Sequence, residues 1–283
     1  MKKILFLTLY FFSVLVNAST NVTVVWPFSS SSAHANMTRM LIDNANKIQN
    51  KYEFRIEFKP GAGGLIATNY VKNSDDKNIR ILSTTSSFYT RKILHDDKTY
   101  DIEDFYPLVF HCYKEPMVLY SLKHSNILDL KKNTQYSIGI NTGSITSALA
   151  REIAKELNFN FNLIPYPGAI EVLRDVQGGH LELGIGFPAS VKTYPNLNIL
   201  YNTTEKINSN LSFFTGTYML LLPSNQTNQI KTELSNIFTL AASSTEVSTI
   251  CNDLLGINPK FSEKEKNKYY YWMHDSWKKI KNN

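Results

Sequence analysis

The stretch LIPYPGAIEVLRDVQGGHLELGIG, Leu163 to Gly186, admits few folds. It reads as a strand end, a tight loop, a helix, a glycine stop and a second strand. Pro165 and Pro167 end the first strand, and Gly168 frees the backbone for a close turn. Ile170, Leu173 and Val176 recur at helical spacing, Gly178 takes the C′ position, and Leu181, Leu183 and Ile185 alternate along the next strand. This β-loop-α-β unit turns the N–H groups of Tyr166 to Ala169 and of the helix start toward one spot, a natural seat for a carboxylate. Gly186, at the end of the second strand, belongs to the same edge.

Similar units recur along the chain. Val22 to Val25 forms a strand, and WPFSSSSAHA breaks it before a helix whose inner face is Met37, Leu41, Ala45 and Ile48. Phe28 and Ser29, Ser30, Ser31 and Ser32 stand at that helix start, where serines cap the helix and leave N–H groups for a ligand. His34 beside them reads either as a surface or capping residue or as a ligand contact. Ile79 to Leu82 forms another strand with a polar exit, Ser83 to Ser87. Strand ends in open α/β sheets line the ligand crevice, so Thr85 and Ser86 are candidate contacts. Tyr136 to Ile140 is a strand leading through INTGSITS into a helix with the face Leu149, Ile153, Ala154 and Leu157. Thr142, Gly143, Ser144, Thr146 and Ser147 offer amides and hydroxyls at that helix start. The last helix opens with a Ser262-x-x-Glu265 capping box and buries Tyr270, Met273, Trp277 and Ile280 on one face.

The string PYPGAIEVLRDVQGGHLEL resembles the hallmark segment of the extracytoplasmic solute-binding proteins of tripartite tricarboxylate transporters, the Bug-type receptors. Four further stretches in the same order are similar to that family: WPF with Arg39, PGAGG at 60–64, YDIEDFYPL at 100–108 and GINTGSITSALAREI at 139–153. The resemblance implies an α/β periplasmic binding protein fold of type II-like organisation, with a ligand cleft between two lobes. It also implies a small organic acid as ligand and separate membrane permease subunits as partners. The chain departs from the family pattern where relatives carry a Gly-Gly pair at Ser31 and Ser32 and an Asp near Ala35.

A chain of 283 residues is long enough for two lobes with their own cores. Two apolar runs, Met117 to Leu122 and Tyr218 to Leu222, read as strands crossing between them. Residues 19–120 and 223–283 then build one lobe and 121–222 the other. Residues 1–18 read as a cleaved secretory signal: Lys2 and Lys3, a short apolar run, then small or apolar residues at Val16-Asn17-Ala18. Such a leader places the mature chain in the periplasm or outside the cell. Its removal takes the net charge from +6 to +4, 28 basic against 24 acidic residues. That surplus suits an anionic ligand, and apart from the C-terminal helix no dense basic run with interleaved aromatics supports nucleic-acid binding. Cys112 and Cys251 are either a disulfide or two buried thiols.

KPGAGG lacks the Gly-Lys-Ser/Thr of a phosphate loop. No G-x-S-x-G elbow, HExxH, or paired His or Cys at metal spacing occurs. Asp101 and Asp104 read as turn caps. The expectation is a monomeric binding protein, not an enzyme, with no cofactor or metal, that closes on a carboxylate ligand and delivers it to a transporter. A sensor using the same cleft, or a secreted hydrolase, are the rival readings.

Overall fold

A computed structural model describes residues 19–75, 77–141, 144–203 and 213–282. The expected signal at 1–18 and the predicted contacts Thr142 and Gly143 lie outside them. The elements in order are β1 (Thr20–Trp26), α1 (Ala33–Lys47), β2 (Tyr52–Phe58), α2 (Leu65–Lys72), β3 (Arg80–Thr85), α3 (Ser87–Leu94), β4 (Phe105–Pro116) and β5 (Val118–Ser121). They continue with β6 (Gln135–Asn141), α4 (Thr146–Leu157), β7 (Asn160–Tyr166), α5 (Ala169–Gln177), β8 (Leu183–Gly186), α6 (Pro188–Lys192) and β9 (Asn198–Asn202). The chain closes with β10 (Thr215–Pro223), α7 (Asn228–Ala242), α8 (Thr245–Asp253) and α9 (Glu263–Asn282).

The strands form two five-stranded mixed sheets, ordered β2-β1-β3-β10-β4 and β7-β6-β8-β5-β9. β1, β2 and β3 are parallel, as are β6, β7 and β8, and the remaining strands join antiparallel. Each sheet is covered on both faces, the pattern that parallel strands require. In the first sheet, Val22, Val24 and Leu220 pack against Leu41 of α1 and Leu234 and Phe238 of α7. Val25, Leu82 and Leu221 belong to a second core with Phe88 of α3 and Tyr270 and Trp277 of α9. That core runs on through Met117 and Leu119 to Ile138 and Leu149, so one apolar layer passes from sheet to sheet. On the other face of the second sheet, Val118 and Tyr120 pack with Val172 and Val176 of α5.

Several local expectations need correction. Sheet membership changes at Met117, between β4 and β5, and again between β9 and β10; Tyr218–Leu222 lies wholly within the first sheet. β4 is long enough to reach the crossing by itself, so the apolar run after it belongs to the second sheet. Pro165 sits inside β7, because β7 is an edge strand and its outer side needs no N–H. Gly178 is helical at the end of α5, and Gly179, at φ 74°, takes the left-handed position. Strand β3 includes Ser83 to Thr85, and the polar exit turns directly into α3. Ile48 is exposed rather than core-facing, since α1 ends before it.

Other local readings hold. Ser262 and Glu265 exchange backbone-to-side-chain hydrogen bonds at the start of α9, at 2.8 and 3.4 Å. The Asp104 carboxylate accepts the Asp101 N–H at 2.7 Å and pairs with Lys72, while Asp101 pairs with Lys92. These acids brace a turn.

Cys112 of β4 and Cys251 of α8 form a disulfide that closes a sequence separation of 139 residues. Gly256 lies against it: a Cβ there would stand 2.4 Å from Cys112 Sγ and 3.1 Å from Cys251 Sγ. Next to Cys112, His111 is fully buried and neither ring nitrogen has a partner among the described residues. Desolvation, with a smaller effect of His34, pushes its pKa from 6.5 down to about 3.

Two outcomes follow for stability. Gly256→Ala should cost about 1–3 kcal/mol by overpacking, and Cys251→Ala about 2–5 kcal/mol by opening the bridge, both read by chemical unfolding under oxidising conditions. The unfolded chain takes up a proton on His111 that the folded ring refuses. Wild-type stability should therefore fall as the pH drops from 6.5 toward 3. In His111→Leu that part of the slope should vanish from melting curves taken across the same window.

Candidate functional site

The C-terminal ends of the parallel strands of both sheets border a single cleft of roughly 1510 Å³. That exceeds the usual volume of a small-molecule pocket, as an open interlobe cleft would. One wall carries the loop after β1, the loop after β2, and the β3-α3 turn. The opposite wall carries the turns after β6, β7 and β8. Strand order and handed connections place these loops at the same edge.

The serine loop is built by its own hydrogen bonds. Ser32 caps α1, its hydroxyl accepting the Ala35 N–H at 3.1 Å and donating to the Ser29 carbonyl at 3.3 Å. Ser29 and Ser31 hydroxyls lie 3.0 Å apart, and Trp26 Nε1 donates to the Ser29 carbonyl. Arg39 braces the loop from outside: it donates to the Ser30 carbonyl at 2.9 Å and to Asn36 Oδ1 at 2.6 Å, and lies over the Phe58 ring. Below the loop, PGAGG makes a short 3-10 turn with Gly61, Gly63 and Gly64 all at positive φ. Ala62 between them is also at positive φ, 48°, while glycine at the other three positions takes up such angles without a steric cost.

Across the cleft, the α4 start is equally self-contained. Thr146 Oγ1 accepts the Asn141 N–H at 2.9 Å, Ser144 Oγ donates to the Asn141 carbonyl at 2.9 Å, and the two hydroxyls are 2.8 Å apart. The α5 start is different. Gly168 is extended, at φ −158°, and makes no side-chain cap. Glu171 folds back so that its Oε2 lies 2.6 Å from the place a Gly168 Cβ would occupy. Tyr166 donates its hydroxyl to Asp175, which pushes its pKa up to about 12.

Of the predicted contacts, Phe28, Ser29, Ser30, Ser31, Ser32, His34, Thr85, Ser86, Ser144, Thr146, Tyr166, Pro167, Gly168, Ala169 and Gly186 all line the cleft. Ser147 does not. It is buried in the first turn of α4, its hydroxyl directed at the Ser144 carbonyl. Thr85 Oγ1 accepts the Ser87 N–H and so closes a turn, while Ser86 donates to the Thr215 carbonyl and ties that turn to the start of β10. Sequence reasoning missed Trp26, Glu171, Arg174, Phe187, Tyr194 and Tyr218 on the walls. Glu171 and Arg174 lie in the very helix that drew attention to the cleft, and their i, i+3 spacing on its outer face was the available signal.

His34 is neither exposed nor a cap. It is buried, stacked on Tyr218 with ring centroids 4.4 Å apart, and its Nε2 lies 3.0 Å from Glu115 Oε2 and 2.7 Å from the Tyr218 hydroxyl. Tyr218 also donates to Glu115. Burial and the Glu115 carboxylate hold the Tyr218 hydroxyl well above its ordinary range. Phe187, from the opposite wall, meets the His34 ring edge-on at 5.3 Å.

Among the described residues no three His, Cys, Asp or Glu side chains gather to hold a metal, and no helix is long and apolar enough to cross a membrane. The arrangement is one of amides, hydroxyls and aromatic rings around a cavity, suited to binding a polar solute.

No family model matches the sequence, and no curated protein does. Solved structures do match. The periplasmic binding protein BugD superposes at TM-score 0.78 with 18% identity, over 93% of this chain and 95% of that one. An adipate-bound protein of R. palustris gives 0.79 at 18% identity, over 93% and 97%. MatC from Rhodopseudomonas palustris, with bound malate, gives 0.77 at 15% identity, over 92% and 98%. These neighbours are binding proteins, and the likeness establishes that this chain has their two-lobed α/β fold, with a cleft between the lobes.

Proposed function

We propose that this chain is an extracytoplasmic solute-binding protein of the Bug type. It captures a small carboxylate-bearing metabolite between its lobes and delivers it to separate membrane permease subunits. The observation that carries the reading is the convergence of the α1 and α3 starts from one wall, and the α4 and α5 starts from the other, on one cleft. Helix starts present N–H groups and a positive dipole end, so an anion is held without lysine. The fold shared with structures that hold adipate and malate supports the same class of ligand.

On this reading the lobes are residues 19–116 with 215–282, and 118–202. The two chain crossings act as the hinge, and ligand contacts on both walls favour the closed state by their extra affinity for it. The protein acts as a monomer in the periplasm after removal of residues 1–18. It binds its ligand without turning it over, and it needs no cofactor. The disulfide supports an oxidising compartment.

Thermal-shift and calorimetric titration of the mature protein against mono-, di- and tricarboxylates tests this. At least one should stabilise it, with a gain growing as RT ln(1 + [L]/Kd); no shift with any carboxylate would refute the proposal. Gly168→Val puts a branched side chain over the α5 amides at an extended φ that valine tolerates. It should abolish that binding while the melting curve of the free protein stays cooperative.

A further inference from the structure

The basic, aromatic-rich face of α9 takes no part in the cleft. Lys264, Lys268, Trp272, Asp275 and Lys279 follow one another at i, i+4, i+8, i+11 and i+15, and all are exposed. They form one stripe about 22 Å long, on the side of the helix away from the buried Tyr270, Met273 and Trp277. Trp272 is 49% exposed and Tyr271 beside it 46%. The indole is held in place: it stacks on Tyr269 at 5.4 Å, and Tyr269 meets Phe261 at 5.3 Å and Tyr113 at 5.7 Å. Tyr113 in turn pairs with Ile257, itself 49% exposed, so an apolar band runs from α9 to the edge strand β4. Lys114 lies over the Tyr113 ring.

The charge left over beside this band is positive. Of the α9 lysines only Lys266 and Lys281 form ion pairs among the described residues, which leaves Lys264, Lys268, Lys278 and Lys279 without one. The acids of the helix are engaged: Glu263 pairs with Lys266, Glu265 accepts from Ser262, and Asp275 sits beside His274. We infer that this face of α9 docks the protein on a lipid bilayer surface that carries anionic headgroups. Lysine stems lie along the interface and bring their ammonium groups to lipid phosphates. The Trp272 indole and Tyr271 phenol settle at headgroup level, where an apolar body with a polar tip is favoured. The rings packed under Trp272 have set its orientation beforehand, so insertion gives up little side-chain freedom. Four unpaired lysines beside three acids are too sparse a charge for a nucleic-acid backbone, whereas at a membrane the rings contribute alongside them.

None of these side chains lines the cleft, so docking and solute binding are measured separately and either can fail alone. The mature protein is sedimented at low salt with vesicles of phosphatidylcholine alone, or of phosphatidylcholine and phosphatidylglycerol in equal parts. It should bind the mixed vesicles at least about tenfold more tightly than the neutral ones, and Lys264→Gln and Lys268→Gln should each weaken that binding about fivefold. Tryptophan emission should move to shorter wavelength on binding. The shift reports Trp272, because Trp26 and Trp277 are already buried. Trp272→Phe should keep most of the binding and lose the shift, and Trp272→Ser should also weaken binding about fivefold. The lysine variants carry the test should the serine variant fail to fold. No sedimentation with the mixed vesicles, binding without an emission shift, or binding left unchanged by the lysine variants or by Trp272→Ser would overturn the inference. Binding of heparin or duplex DNA in place of vesicles would overturn it too, and would mark the face as a polyanion site.

Discussion

The two sheets are held in register where the chain passes between them. At the first crossing Met117 donates its N–H to Thr203 Oγ1 at 3.0 Å, and Thr203 returns its own N–H to the Met117 carbonyl at 3.0 Å. Outgoing and returning segments are thus bonded to each other at one buried point. The C-terminal edges of both sheets lie on the same side of this pair, so every loop that leaves a parallel strand borders one cavity.

Hydroxyl groups are abundant around that cavity, yet most already serve the loops that carry them. Ser32, Thr85, Ser144 and Thr146 each cap or close a turn. What remains for a solute is chiefly the backbone of the turns, the aromatic rings, and the few side chains whose bonds reach across the structure. Main-chain amides held by such turns are already oriented before a ligand arrives, so little ordering cost is left to binding. Glu171 folds over one of these amide sets and makes that seat less uniformly positive than a bare helix start.

Beneath the floor, strand β4 concentrates the unusual groups of the molecule: His111, Cys112 and Glu115, within five positions of one another. Cys112 ties the strand to α8, and Met37, Tyr218 and Leu254 pack around the bridge. A buried histidine whose ring nitrogens have no hydrogen-bond partner among the described residues, and a buried carboxylate with one oxygen likewise unpartnered among them, are both costly. They persist where the surrounding packing is rigid enough to hold them. Tyr218 joins the two features, touching the disulfide cluster on one side and the His34 ring on the other.

Local pattern was enough to read the repeated strand-loop-helix units, the helix start at Ser262 and the glycine turn after β7, because each depends on neighbours within a few residues. It also brought the serine loop, Thr85 and the Tyr166–Ala169 loop to the list of cleft residues. Pairings over long separations were not readable. His34 and Glu115 are 81 positions apart, Tyr218 lies a further 103 beyond Glu115, and the cysteines are 139 apart. Nothing in their immediate sequence marks those residues as partners. Pro165 within a strand is equally invisible locally, since only the sheet order tells that β7 is an edge. Sequence by itself therefore determined the kind of unit and the backbone-built part of the cleft, whose geometry follows from short-range turn chemistry. Tertiary structure alone decided where the chain crosses and which side chains meet beneath His34, because those contacts exist only once distant strands share a sheet.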